Sequence, residues 1–141
     1  MESMKLRLSQ EPIIITRPIG FDDTKEEMKQ KNKKQFIVMN TCILSVYLDD
    51  KEFTITAWQG YCFDGATIPF GLGKGNMKFQ IPALYHDIMC EKKHLVDNDR
   101  NLSSRIFKEL LLLCGVPKWK AQLMYIAVDN YQRFCGWEKA D

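Results

Sequence analysis

Near Pro82 the spacing of apolar residues changes, and that change constrains the fold more than any other feature of the chain. Before it, apolar and polar residues tend to alternate, as on a strand with one buried face. After it, apolar residues recur every three to four positions, as on amphipathic helices. The pattern predicts an α+β fold, with an N-terminal antiparallel β-sheet or hairpin packed on a C-terminal three-helix unit over 82–136. A length of 141 residues suits one domain, 1–141, large enough to bury a core without disulfide staples.

Within the first half, Pro12–Pro18 encloses the β-branched run Ile13, Ile14, Ile15 and Thr16, a strand signal. Residues 22–35 mix Lys25, Lys29, Lys31, Lys33 and Lys34 with Asp22, Asp23, Glu26 and Glu27 and carry no apolar stripe, which predicts a solvated loop or one exposed helix. Phe36–Leu48 and Glu52–Trp58 form a predicted hairpin around Asp49-Asp50-Lys51. A glycine-rich loop over 60–80 follows, containing Gly60, Gly65, Gly71, Gly73 and Gly75.

Pro82 fits the first turn of a helix, because its absent amide has no partner to lose there. The predicted helices are Pro82–Lys93, Asn101–Cys114 and Lys118–Phe134, the last two divided by Gly115-Val116-Pro117. Leu102, Ile106, Leu110 and Leu113 define the expected core face of the second helix. Trp119, Leu123, Ile126, Ala127 and Phe134 define that of the third.

Charge and cysteine use narrow the function classes. A formal charge of +2 lacks the basic excess of a dedicated nucleic-acid binder. The five cysteines are odd in number and sit mostly beside apolar residues, which fits free thiols in a reducing cytoplasm. Met1–Lys5 has no signal-peptide pattern, and the apolar run Leu110–Cys114 is too short to span a membrane.

Two stretches carry the candidate chemistry. Gly60–Pro69 ends in Asp64-Gly65-Ala66-Thr67-Ile68-Pro69, a turn that aims a carboxylate. The bland alternative has Asp64 and Thr67 capping that turn through their own backbone. On the first predicted helix, His86 and Asp87 interrupt a stretch otherwise fit for burial. Adjacent helical residues point about 100° apart, so Asp87 does not orient His86, and the two serve different tasks.

One arrangement uses His86 as a general base, with Asp87 and Asp64 holding a metal or the loop. The other makes His86 a satisfied core residue and Asp87 an acceptor for loop amides. A zinc site built on His86, Cys90 and His94 is set aside, because eight residues turn a helix by about 80° and carry His94 off the face. Gly71–Asn76 lacks the hydroxyl residue and the frame of a phosphate loop, although Lys74 and its neighbouring amides still suit an anion.

These motifs resemble a family of small proteins encoded by phages and prophages, the domain of unknown function numbered thirteen fifty-three. The resemblance covers about Phe53 to Gly136: Gly60–Pro69, Ala83–Asp87, Arg105-Ile106-Phe107, Ala127-Val128 and Phe134-Cys135-Gly136. Departures are Phe63 where threonine is usual, Asp129 where arginine is usual, and Ser104 where an aspartate commonly precedes the Arg-Ile-Phe element. A more distant motif-level similarity is to the prokaryotic and fungal secreted phospholipases A-two.

That second similarity implies His86 as base, Asp87 with the Asp64-Gly65 loop as a calcium site, and Ser104 at the position of the orienting aspartate. Serine cannot stabilise an imidazolium, which leaves Asp99 or Asp129 for that role. Taken together, the expectation is a phage-encoded, soluble protein of the host cytoplasm. It binds a small ligand or host partner, with counter-defence as one setting, through Asp64, Gly65, Thr67, Lys74, His86 and Asp87. Two alternatives stand beside it: a calcium-dependent lipid or ester hydrolase, and a virion or assembly component in which the motifs are structural. No cofactor other than calcium is implied.

Overall fold

The computed structural model describes residues 3–17, 23–33, 36–63 and 77–133, with strands first and helices after. The strands are β1 (Met4–Leu8), β2 (Ile14–Thr16), β3 (Phe36–Val38), β4 (Cys42–Leu48), β5 (Glu52–Ala57) and β6 (Cys62–Phe63). An exposed helix α1 (Lys25–Lys33) falls in the polar stretch between β2 and β3, its start capped where Thr24 Oγ1 accepts from the Glu27 amide at 3.1 Å. Helices α2 (Met77–Glu91), α3 (Arg100–Leu113) and α4 (Lys118–Tyr131) follow, with a 3-10 turn over Lys93–Val96.

The strands form two antiparallel sheets, ordered β1-β4-β5 and β2-β3-β6. The predicted hairpin is β4-β5, with Leu44 opposite Ile55, Val46 opposite Phe53, and the Leu48 amide closing the turn onto the Lys51 carbonyl at 2.8 Å. Strand β1 was not expected. Met4, Leu6 and Leu8 alternate with Lys5 and Arg7, and they lie opposite Leu48, Val46 and Leu44.

The expected single strand Phe36–Leu48 is two strands in different sheets. Its break has a side-chain cause. Asn40 accepts from the Ile13 amide at 2.8 Å and donates to the Glu11 carbonyl at 3.2 Å, while Thr41 Oγ1 accepts from the Gln59 amide at 3.0 Å. These bonds replace ladder pairing and redirect the chain.

The first helix begins at Met77, and Pro82 lies inside it rather than at its first turn. So close to the N-terminus, the missing amide forfeits only a single intrahelical bond, and apolar burial outweighs that loss. Ala83, Leu84, Tyr85, Ile88 and Met89 are all buried. Tyr85 donates to the Cys42 carbonyl at 3.1 Å, fixing α2 to β4 across the core formed by Leu44, Val46, Ile55 and Ala57.

Helix α3 packs on α2 and also touches β1, and α4 packs on α3. Asp99 caps α3, accepting from the Leu102 amide at 3.0 Å. Gly115 adopts φ +89 between α3 and α4, as expected of a stop signal, and the Val116 amide closes onto the Leu111 carbonyl at 3.0 Å.

Leu102, Ile106 and Leu110 face the core as expected, but Leu113, the last residue of α3, is exposed. The expected core face of α4 is overturned. Trp119, Leu123 and Ile126 are 67%, 55% and 44% exposed, Ala127 is half-buried, and the buried residues are Ala121, Met124 and Val128. Two of those three are small, which lets α4 approach α3, whereas a tryptophan at that contact would force the helices apart. Phe134 lies outside the described residues.

Among the described residues, Cys42, Cys62, Cys90 and Cys114 carry free thiols, and no helix is long and apolar enough to cross a membrane.

Candidate functional site

Of the site residues expected from the sequence, Asp64, Gly65, Thr67 and Lys74 lie outside the described residues. The chain reaches them from a fixed point. Phe63 is buried, paired in register with Phe36, its ring centroid 5.6 Å from that of Phe36 and 6.5 Å from that of Tyr61. This aromatic group seats the end of β6 against the C-terminal turn of α2, where the Tyr61 hydroxyl donates to Glu91 Oε2 at 2.9 Å.

Helical spacing sorts the polar residues of α2 onto two faces. Asp87 and Glu91 are four apart and share one; His86 and Cys90 are four apart and share the other. On the first face Asp87 is half-buried, and its charge acts on the neighbouring groups. Burial, Glu91 and Asp87 together push the Tyr61 hydroxyl well above the ordinary tyrosine range. The Tyr61 hydroxyl therefore stays protonated and serves as a hydrogen-bond donor.

The other face turns inward. His86 is 1% exposed, its ring centroid 5.2 Å from that of Phe107 on α3, with Cys90 Sγ 3.9 Å from each ring nitrogen. Burial lowers its pKa from 6.5 to about 4, so the imidazole is neutral at ordinary pH. Burial, with Asp87 second, pushes Cys90 up to about 12, which makes its thiol an inert packing group rather than a nucleophile.

The candidate orienting residues are engaged elsewhere. Asp99 caps α3, and Asp129 Oδ1 on α4 accepts from Arg100 Nη1 at 2.5 Å. The Ser104 hydroxyl is buried and donates to the Arg100 carbonyl at 3.2 Å, one turn back along its own helix. His94 is exposed in the 3-10 turn, away from the His86–Cys90 contact. Among the described residues, no group of three or more potential ligands could hold a metal ion.

Tyr61 and Glu91 were not singled out from the sequence. Glu91 stands one helical turn after Asp87, a spacing that could have flagged it; the partnership with Tyr61 spans 30 residues and has no local signal. Farther back on α2, Gln80 Oε1 is buried without a hydrogen-bond partner among the described residues, a cost the helix carries beside its apolar contacts.

The family model described as "Protein of unknown function (DUF1353)" matches residues 43–128, from β4 to the buried part of α4. No curated protein and no solved structure matches the chain.

Proposed function

The chain belongs to this family of unknown function, matched over more than half its length, and from that premise we propose that it is a non-catalytic binding protein encoded by a phage. It acts in the host cytoplasm on a small ligand or a host partner, and counter-defence is the setting that suits it. The binding face is the outward one of α2, with Asp87 at its centre and the Asp64-Gly65-Ala66-Thr67 loop continuing from β6. Lys74 adds a cation for an anionic group of the ligand.

The burial of His86 carries this reading. A general base must reach its substrate and titrate near working pH. His86 is sealed between Phe107 and Cys90 and titrates at about 4, while Asp87 beside it is only half-buried. The histidine thus acts as a wedge that fixes the angle of α2, and Asp87, on the neighbouring face, meets a ligand or a calcium ion with Asp64.

Native mass spectrometry of the protein as purified tests this. The expected result is a retained small molecule of defined mass, absent from Asp87→Asn and Asp64→Asn variants that melt as the parent does. Calcium-stimulated ester hydrolysis abolished by His86→Ala would replace the reading with the hydrolase one. Recovery of the chain only in assembled particles, with nothing retained, would replace it with the virion or assembly one.

A further inference from the structure

Helix α4 is apolar on two opposite sides. Ala121, Met124 and Val128 face the core, while Trp119, Leu123 and Ile126, at positions i, i+4 and i+7, form a second stripe in solvent. Ordinary surface helices do not spend three large apolar residues this way, and contiguous apolar surface rimmed by polar groups marks interaction sites. The stripe borders a depression between α3 and α4. One part, of about 420 Å³, is lined by Lys108, Leu112, Lys118, Trp119 and Gln122. A second part, of about 560 Å³, shares Lys108 and Gln122 with the first and continues toward Asn101 and Met4.

The rim is cationic. Lys108 and Lys118 stand on either side of the depression, and Glu109 is the acidic residue in the lining. Asp129, the acidic residue of α4, is held by Arg100.

We infer that the outer face of α4, with the α3–α4 depression beside it, docks an acidic amphipathic helix of another protein. Its apolar residues pack along Trp119, Leu123 and Ile126, and its carboxylates meet Lys108 and Lys118.

Shape and charge select this occupant. A flat bilayer has no side chain to fill a concavity between two helices, whereas a helix presents them at matching intervals. A second copy of this chain offers the same cationic face, so a two-fold contact sets lysines against lysines. The exposed helix α1 does not supply the complement either, since it carries lysines throughout and Met28 as its one large apolar residue. The surface is separate from the α2 site, and its test is independent of the ligand-binding reading.

The probe is a fluorescein-labelled helical peptide with leucines along one face and glutamates on both flanks, titrated with the full chain and followed by anisotropy. The expected result is saturable binding, weakened about tenfold or more by Trp119→Ala, by Leu123→Ala and by the pair Lys108→Glu/Lys118→Glu, with the far-ultraviolet spectrum and melting curve unchanged. The same peptide with lysines for glutamates should bind only the charge-reversed protein. Equal binding of both peptides, or none of either, would overturn the inference. So would a concentration-dependent dimer dissolved by Trp119→Ala in sedimentation equilibrium, which assigns the face to a second copy. Co-sedimentation with phosphatidylglycerol vesicles lost in the same variants assigns it to a membrane surface. A Trp119→Ala variant that fails to fold contradicts the exposure on which the inference stands, and overturns it as well.

Discussion

Helices α2 and α4 are of nearly equal length, 15 and 14 residues, and both are rich in large apolar side chains, yet they occupy opposite environments. Helix α2 has β5 on one side and α3 on another, so residues around most of its circumference are buried, His86 included. Helix α4 packs on α3 and leaves Trp119, Leu123 and Ile126 in solvent. Burial here depends on how many neighbours an element has, and the number of apolar residues it carries is a poor guide to it. A polar residue on α2 is therefore held in place by packing, whereas an apolar residue on α4 is available to something outside the chain.

The sharpest test of this contrast is truncation on the submerged helix. Leu84 is 0% exposed, and Leu84→Ala should destabilise the protein by about 2 to 5 kcal/mol, through lost burial and the cavity left behind. Urea unfolding measures it. A loss under about 1 kcal/mol would mean that α2 can collapse onto the gap, and that its packing is looser than its burial implies.

Proton linkage at His86 gives the next effect. The imidazole titrates at about 4 in the folded protein against an ordinary 6.5, so between these values the unfolded chain takes up a proton that the folded one refuses. Stability should fall as pH drops through that window and level off below it, by about 3 kcal/mol attributable to this group. Melting curves of the parent and of His86→Met, compared between about pH 7 and pH 4, isolate the term, since the variant lacks it. Parallel curves would show that the ring is reached by solvent or a partner charge.

At the junction of α3 and α4, Asp129→Asn should cost about 1 kcal/mol. It weakens a partly exposed ion pair, although Arg100 keeps its bond to the Asp129 carbonyl at 3.1 Å. If Asp129 instead served the α2 face, the variant would change ligand retention while leaving the melting curve in place.

The division into strands and helices was legible in the sequence because periodicity is a local property that survives in short windows. The β4-β5 hairpin and the Gly115 stop were legible for the same reason. What the sequence concealed depended on contacts between distant segments. The break after Val38 rests on Asn40 reaching Glu11 and Ile13, and the helical start at Met77 rests on burial that outweighs the proline. On α4, the largest apolar residues suggested the core face, while close packing on α3 selected Ala121 and Val128. At the candidate site, His86 and Asp87 were recognisable as a polar pair in an apolar helix. Their different fates, one sealed behind Phe107 and the other half-buried, needed α3 in position.

The smallest expected effect falls on the exposed helix. Leu123 is 55% exposed, so Leu123→Ser removes little buried area and leaves no cavity, and it should change stability by no more than about 0.5 kcal/mol. The small change expected comes from loss of a good helix former, because serine competes for backbone hydrogen bonds in a helix interior. The unfolding midpoint in urea should therefore hardly move, with an unchanged slope, while Leu84→Ala shifts it strongly under the same conditions. A loss of about 2 kcal/mol or more at Leu123, growing with protein concentration, would place the residue in a buried contact between copies, because only association makes stability depend on concentration. The same loss independent of concentration would mean that the chain covers this face itself, and the contrast between α2 and α4 would then be one of degree.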